Sequence, residues 1–304
     1  MLKQFDISLK DEIESQVLKL NYKDHNLSFT NMYMWRGMYK LSVYSSEKFI
    51  IVFCDLNGEF FSLNPICVLE DVDQAIEYLI KYFKDHNLPF IIHNCVMKVK
   101  DVIEAIYGDF FVYELARDSF DYLYSAEKLM TYSGKKLQKK RNHINNFKKL
   151  YGDRYELKLI EGNEQVIADC IQFTKQWDDS KTERDMYIDQ EVSGAIDVLN
   201  NISRLSCQGL AVYLDNTIQG YSIGTQLNDT TAVLNIEKAN GNIIGLYPFL
   251  RQQMVTTFFS DLKHINTEDD VGEENLRKSK LSYQPEYLVN KYTVRRKDEV
   301  SSSQ

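Results

Sequence analysis

Apolar residues recur along the chain with two periods, one near 3.6 and one of 2, and the switches between them mark the predicted elements. Short β-rich runs at 41–44, 49–54 and 59–63 predict three strands, and Asn57-Gly58 between the last two is a hairpin signal. A helix follows at 72–84, a strand at 89–93, a helix at 97–107 and a strand at 109–115. The second half repeats this grammar. Residues 155–160 read as a strand, 164–177 and 189–203 as helices, and 209–214, 218–225 and 230–238 as a three-strand meander turned at Asp215-Asn216. A helix after Asn242, a strand at 264–268, a helix at 273–280 and a strand at 287–294 complete the pattern.

Helices, then an antiparallel meander, then an α-β-α-β tail is the order of an acetyltransferase-type α/β domain. Two halves of similar grammar predict two such modules in tandem, each a mixed, mostly antiparallel sheet flanked by helices. We expect the N-terminal module at 1–133, a basic connecting helix at 134–150 and the C-terminal module, with the reaction cleft, at 151–304. The length of 304 residues suits two domains, and 44% hydrophobic with 26% charged residues excludes a disordered chain. No stretch approaches the roughly 18–20 uninterrupted apolar residues of a bilayer span, and the first residues are unlike a cleavable signal, so the default expectation is a cytoplasmic protein without a transmembrane segment. The five cysteines are scattered without a Cys-x-x-Cys pair and predict free, buried thiols. The five histidines are equally dispersed, so no metal site is expected.

The net charge of −8 is unevenly laid out. Residues 1–133 carry 13 basic against 20 acidic side chains, 134–150 carry seven basic and no acidic ones, and the remainder carries 16 against 24. Within the basic segment Leu137, Ile144, Phe147 and Tyr151 form a helical stripe, with Lys135, Lys136, Lys139 and Lys140 around the remaining arc. Such a helix either coats a solvent-facing surface with lysine stems or forms an anion site for phosphate, on a nucleic-acid backbone or a lipid headgroup. In the second role Lys139, Lys140 and Arg141 would hold donor phosphates.

Three further clusters could carry chemistry. Strand alternation places Ala232, Leu234 and Ile236 on one face and Asn235 and Glu237 on the other, so two polar groups end a strand beside a helix N-terminus. Free N–H groups near Asn242–Gly245 would hold a phosphate or a developing oxyanion, and Glu237 would serve as a base. CoA-dependent acetyltransferases carry Arg/Gln-x-x-Gly-x-Gly/Ala in this turn. Here Asn242-x-x-Gly245-x-Tyr247 keeps only the middle glycine, and the bulk of Tyr247 argues against a standard acetyl-CoA site. Glu268, Asp269 and Asp270 crowd three carboxylates at a strand end, where a cationic amine would offset their repulsion. Downstream, Glu273 and Glu274 with Arg277, Lys278 and Lys280 complement the dipole of a short helix, and Tyr283 or Tyr292 could protonate a leaving group.

The blocks Asn26-Leu-Ser-Phe-Thr-Asn-Met-Tyr-Met-Trp-Arg36, Tyr122-Leu-Tyr-Ser-Ala-Glu-Lys-Leu129, Gly134 to Phe147, Glu237-Lys238 with Gly245-Leu-Tyr-Pro-Phe249, and Glu268-Asp-Asp-Val-Gly272 with Leu276 to Pro285 resemble an uncharacterised bacterial family. That family is grouped with the C-terminal domain of phosphatidylglycerol lysyltransferase. The resemblance implies a tandem GNAT-like fold related to the Fem aminoacyltransferases, which use charged tRNA. It implies functional positions at Lys140, Arg141, Glu237, Glu268, Asp269, Asp270, Arg277, Lys280 and Tyr283. The expected reaction is acyl or aminoacyl transfer from an activated ester or thioester to an amine or hydroxyl, with Glu237, Asp269 or Asp270 as base and Tyr283 as acid. Asn235, Asn242, Gly245, Tyr247, Glu268, Arg277 and Lys280 would bind substrate. The donor would be aminoacyl-tRNA docked through the basic helix, or acetyl- or acyl-CoA, and the acceptor a small molecule, lipid or peptide. An acetyl-CoA-dependent N-acetyltransferase and a non-catalytic ligand-binding module are the alternatives.

Overall fold

In the computed structural model, which describes residues 2–179 and 186–301, fourteen strands form two seven-stranded sheets. The first half supplies β1 (Lys3–Gln4), α1 (Lys10–Val17), α2 (Phe29–Trp35), β2 (Ser42–Ser45), β3 (Ile50–Leu56), β4 (Glu59–Ser62), α3 (Val72–Asp85), β5 (Ile91–Val96), α4 (Met97–Tyr107) and β6 (Phe111–Leu115). Next come β7 (Asp121–Ser125), α5 (Ala126–Thr131), the basic helix α6 (Gln138–Tyr151), β8 (Tyr155–Leu159), α7 (Glu164–Asp179) and α8 (Met186–Asn200). The meander is β9 (Gln208–Leu214), β10 (Thr217–Asn228) and β11 (Thr231–Ala239). It is followed by α9 (Leu246–Phe258), β12 (His264–Asn266), α10 (Glu274–Leu281), β13 (Tyr287–Val289), β14 (Lys291–Arg296) and α11 (Lys297–Ser301).

One sheet runs β1-β2-β3-β4-β5-β14-β6 and the other β13-β7-β12-β11-β10-β9-β8. This is the tandem GNAT-like architecture, with mostly antiparallel pairing and parallel neighbours at β4/β5 and β11/β12. The strands are apportioned differently from a cut at 133. β7, on the N-terminal side of that cut, pairs with β12 and β13 in the second sheet. The segment expected as one strand at 287–294 is two: β13 stays in the second sheet, and β14 crosses back between β5 and β6 of the first. The physical reason is Lys291, which opens β14 fully buried, with its ammonium between Asp24 and Asp121.

The second sheet is covered on both faces. On one, Ala211, Tyr213, Tyr221 and Val233 join a core that continues through α7, α8 and α2 into the first sheet. On the other, Leu210, Val212, Leu214, Ala232 and Leu234 pack beneath α5, α6 and α9, with the Phe147 and Phe249 rings tilted against each other at 4.6 Å. Alternation along β9 thus sorts its side chains between two hydrophobic layers. All five cysteines are buried and unpaired.

Candidate active site between β11 and β12

The site begins with a defect in β11. Against β10, Ile236 pairs with Ile223 and Leu234 with Gly224, so Asn235 is an extra residue, a β-bulge. A bulge resets the two-residue alternation, and side chains beyond it exchange faces. Ile236 therefore joins the core on the α2 and α8 side, while Glu237 shares the α9 side with Ala232 and Leu234. Simple alternation had put Asn235 and Glu237 on one face; the bulge separates them. On its other edge β11 pairs with β12 only over Thr231–Val233, opposite His264–Asn266, and beyond that the strands part. Candidate side chains converge at this parting from both walls.

Glu268 projects from the loop after β12. Its backbone is left-handed (φ 64°), and its N–H donates to Asn266 Oδ1 at 2.6 Å, so the Asn266 amide holds a conformation that favours glycine. Asn235 Nδ2 lies 3.4 Å from Glu268 Oε1, and Asn235 is itself fixed by Thr225 Oγ1 donating at 2.9 Å. Burial drives the Glu268 carboxyl up to about 7: His25 and Lys280 pull it down, while Asp269 and Asp121 push it up. Asp269 beside it is half-buried and makes no hydrogen bond or ion pair among the described residues.

Lys280 reaches into the same space from α10, buried, its ammonium hydrogen-bonded to the Thr267 carbonyl. Burial depresses its pKa, and Glu268 and Asp269 oppose the shift. Across from it, Arg251 of α9 grips Glu237 through Nε (3.1 Å to each oxygen) and Nη2 (2.6 Å). Both partners are about nine-tenths buried, at 10% and 12% side-chain exposure, so Glu237 is committed to a bidentate ion pair rather than free as a base. The Arg251 guanidinium lies 4.3 Å from the centroid of the Tyr283 ring, and the Lys140 ammonium 3.8 Å from the same ring. Tyr283 is buried beside both, its hydroxyl pushed further from ionisation by burial.

Other predicted residues serve the frame. Asp270, fully buried, accepts from Arg117 (3.2 Å), Arg277 (2.8 and 3.0 Å), Tyr122 (2.5 Å) and the Gly272 N–H (3.1 Å). Burial alone would raise its pKa, but these donors hold it down at about 2. Asp270 and Arg277 thus clamp the loop onto α10, with Asp118 as the second partner of Arg277. The expected phosphate cradle at Asn242–Gly245 is otherwise occupied. A Cβ on Gly245 (φ 92°) would collide with the carbonyl of His143, so the glycine admits α6 against the start of α9. Asn242 is exposed and Tyr247 half-buried. From the basic helix only Lys140 enters the site: Lys139 is exposed, and Arg141 donates to the carbonyls of Tyr132 and Gly134 at the turn before α6.

One cluster has no local sequence signal. Asp24, His25 and Asp121 present metal-type ligand atoms to one another, all buried. The centre of this set is filled by the protein's own cation: Lys291 Nζ lies 2.7 Å from Asp24, 2.5 Å from Asp121 and 3.2 Å from His25 Nδ1. Asn266 Nδ2 donates to Asp121 at 2.7 Å, which connects this cluster to the latch on Glu268. Two surface depressions, one lined by Leu2–Phe5 with Arg36 and the other by Gly37, Met38 and Met186, include none of these residues.

The family model for the C-terminal region of phosphatidylglycerol lysyltransferase matches residues 19–295. The chain belongs to that family. A conserved protein of unknown function from Bacteroides thetaiotaomicron superposes with a TM-score of 0.90 at 26% identity, over 97% of this chain and 99% of that one. L-PGS from Bacillus licheniformis gives 0.69 at 12% identity, over 97% and 93%, which is a likeness of fold. A tandem GNAT protein from the clavulanic acid biosynthesis pathway gives 0.50 at 8%, over 97% and 98%. An uncharacterised protein of Mycoplasmoides gallisepticum is 30% identical over 195 residues, 64% of this chain and 61% of that relative, so the match spans about three-fifths of its length. Membership of the family supports an acyl or aminoacyl transferase at family level, and the solved structures show the fold. Among the described residues no helix is long and apolar enough to cross a membrane.

Proposed function

We propose that this protein transfers an aminoacyl group from an activated ester, with aminoacyl-tRNA as donor, to an amine or hydroxyl acceptor, and that Glu268 is its general base. The observation that carries the reading is the half-buried Glu268 carboxyl, brought to about 7 at the parting of β11 and β12, with Asn235 donating to its Oε1 and Asn266 accepting from its backbone N–H. A carboxyl with that pKa is part base and part acid at neutral pH, so it can take the acceptor's proton and return it to the departing ribose oxygen. The acceptor's lone pair forms the new bond to the carbonyl carbon, the ester C–O bond breaks, and the proton count is conserved. Lys280 supplies positive potential to the oxyanion that develops between these steps. Asp269, without a partner among the described residues, suits the α-ammonium of an aminoacyl group.

An acetyl-CoA donor is disfavoured by Gly245, whose open face is covered by His143 where a pyrophosphate would need backbone amides. The test is transfer of radiolabelled amino acid from charged tRNA to an amine or hydroxyl acceptor panel, lysyl-tRNA first because of the family's name. Wild type should transfer and Glu268→Gln should lose on the order of 10²–10⁴-fold, the ordinary range for a lost acid–base group. Equal turnover by the variant removes Glu268 from the mechanism. Binding of the tRNA should fall with salt, each single-strand phosphate contact adding about −0.7 to the log–log slope. Salt-insensitive tRNA binding, or calorimetric heat with acetyl-CoA and none with tRNA, overturns the donor.

A further inference from the structure

His25 opens the short turn His25–Leu27 before α2, with 6% of the residue exposed. Asp121 holds it at two points: Oδ2 accepts the backbone N–H at 2.8 Å, and Oδ1 lies 2.7 Å from ring Nδ1. A carboxylate oxygen only accepts, so the hydrogen of the second bond is on Nδ1, and Nε2 is the free end of the ring. Lys291, 3.2 Å from the same Nδ1, gives its hydrogens to Asp24 and Asp121. Nε2 makes no hydrogen bond among the described residues, yet it is not enclosed as the orphaned His264 Nδ1 is, and the His25 side chain keeps 8% exposure. Nearly buried polar groups ordinarily have partners, so this one is open to a ligand. The local charges favour a cationic ring. Two carboxylates, Asp24 and Asp121, face the single ammonium of Lys291, and an imidazolium cancels the charge left over. Burial and Lys291 work against its proton, but Asp121 and Asp269 hold it, and the net shift is upward from the ordinary histidine value.

Two routes of contact lead from His25 to Glu268. One runs through Asp121 to Asn266 Nδ2 (2.7 Å) and from Asn266 Oδ1 to the Glu268 N–H (2.6 Å). The other runs from the His25 carbonyl, which accepts the Ser28 N–H at 2.9 Å, through Ser28 Oγ to Asn235 Nδ2 (3.3 Å) and on to Glu268 Oε1 (3.4 Å). The loop closes, so His25 and Glu268 belong to one wall of the site. After burial, the strongest influence on the Glu268 carboxyl is His25. We propose that His25 is the general acid of the transfer, its Nε2–H giving a proton to the departing oxygen while Glu268 takes the acceptor's. This role rests on the transferase reading and divides between two groups the proton traffic that one carboxyl would carry alone. The acceptor's O–H or N–H bond breaks toward Glu268, and its electron pair forms the bond to the carbonyl carbon. The ester C–O pair leaves with the departing oxygen, which bonds the Nε2 proton. Neutral His25 and protonated Glu268 remain, and passage of one proton between them restores both. Asp121 keeps Nδ1–H oriented throughout, the part a carboxylate plays for a histidine in proton transfer.

The experiment is His25→Asn in the full chain, assayed with two donors of one amino acid: charged tRNA and the nitrophenyl ester. The asparagine amide stands where Nδ1 stands and keeps a donor for Asp121, while nothing replaces Nε2. Transfer from tRNA should fall on the order of 10²–10⁴-fold, the range of a lost acid–base group, with tRNA binding and thermal melting unchanged. Nitrophenolate departs without a proton, so with that ester His25→Asn should match wild type, whereas Glu268→Gln should be slow with both donors. Equal slowing of His25→Asn with the two donors means a structural role and overturns the acid. Undiminished transfer from tRNA by His25→Asn also overturns it and leaves Glu268 as base. No transfer by wild type from either donor takes down the transferase reading, and this role with it. Should the variant fail to fold, nitrogen NMR of wild type with labelled histidine decides without turnover. One of the five rings should stay cationic above the pH at which the other four have lost their protons, and its absence overturns the role.

Discussion

A side chain's role here depends on what surrounds it more than on its chemistry. Three neighbouring acids, Glu268, Asp269 and Asp270, are indistinguishable in sequence. The fold gives Asp270 two arginines and a tyrosine, leaves Asp269 without a partner among the described residues, and half-buries Glu268 on a left-handed backbone. Sequence spacing located the cluster but could not divide its labour, because the arginines and the latch come from elements far along the chain. The opposite pKa directions make this division measurable. Glu268 is raised to about 7, above its unfolded value near 4.5, so its ionisation destabilises the fold increasingly between those values, and the penalty is complete above pH 7. Glu268→Gln should therefore match wild type near pH 4 and be more stable at pH 8, by up to about 3 kcal/mol, in thermal melts across pH. A constant difference between the two proteins at all pH values would remove the shifted carboxyl. Asp270, held at about 2, has the reverse sign: its stabilisation is full above pH 4 and is lost as pH falls through 2. Asp270→Asn should cost about 3 kcal/mol in denaturant melts at pH 7 by leaving Arg117 and Arg277 partly unpaired, and a loss under about 0.5 kcal/mol would mean the clamp is idle.

At the scale of elements, periodicity located most helices and strands of the chain within a few residues, among them α3, α4, α6 and the β9–β10–β11 meander. Their patterns are strong because each has one face on a hydrophobic layer. What the pattern missed is what does not repeat. The bulge at Asn235 moves Glu237 to the opposite face from the one alternation assigns, and only the register of β10 reveals it. In sequence Gly245 reads as a phosphate-binding glycine because such turns often are. The contact that explains it, the His143 carbonyl, comes from a helix about a hundred residues upstream. Gly245→Ala must accept both that collision and a backbone at φ 92°, so α6 has to move off α9. We expect a loss of about 2–4 kcal/mol in chemical denaturation, in the range of other strained or overpacked substitutions. Asn242→Ala, in the same turn but exposed, should change stability by less than about 0.5 kcal/mol. Similar effects of the two would mean that the α6–α9 contact does not govern this turn.

The whole molecule is held together by an exchange of strands, and this decides whether the halves can exist apart. A boundary at 133 follows the sequence grammar, in which the basic segment interrupts two similar runs of elements. The sheets ignore it: β7 lies between β13 and β12 in the second sheet, and β14 fills the gap between β5 and β6 in the first. Separating the chain at 133 would leave each sheet without an interior strand and would expose the backbone hydrogen-bonding groups of both neighbours. Lys291 then ties the returning strand to carboxylates from elsewhere, Asp121 on β7 and Asp24 in the loop before α2, all three fully buried. Burial would loosen the proton of that ammonium, but Asp121, Asp24 and Asp269 hold it more tightly than an ordinary lysine's. Lys291→Met removes one cation and leaves two buried acids facing each other beside His25. The cost of breaking such a group is about 3–5 kcal/mol, a large part of a typical domain's stability. Because the ammonium bridges both sheets, that loss should appear as one cooperative transition shifted down in temperature, with tryptophan fluorescence and far-ultraviolet circular dichroism coincident. Fragments 1–133 and 134–304, expressed separately, should each lack cooperative unfolding and recover it on mixing, if they recover it at all, only as a complex. Two independent transitions in Lys291→Met, or a cooperatively folding 134–304 fragment, would show that the strand exchange is not what unites the molecule.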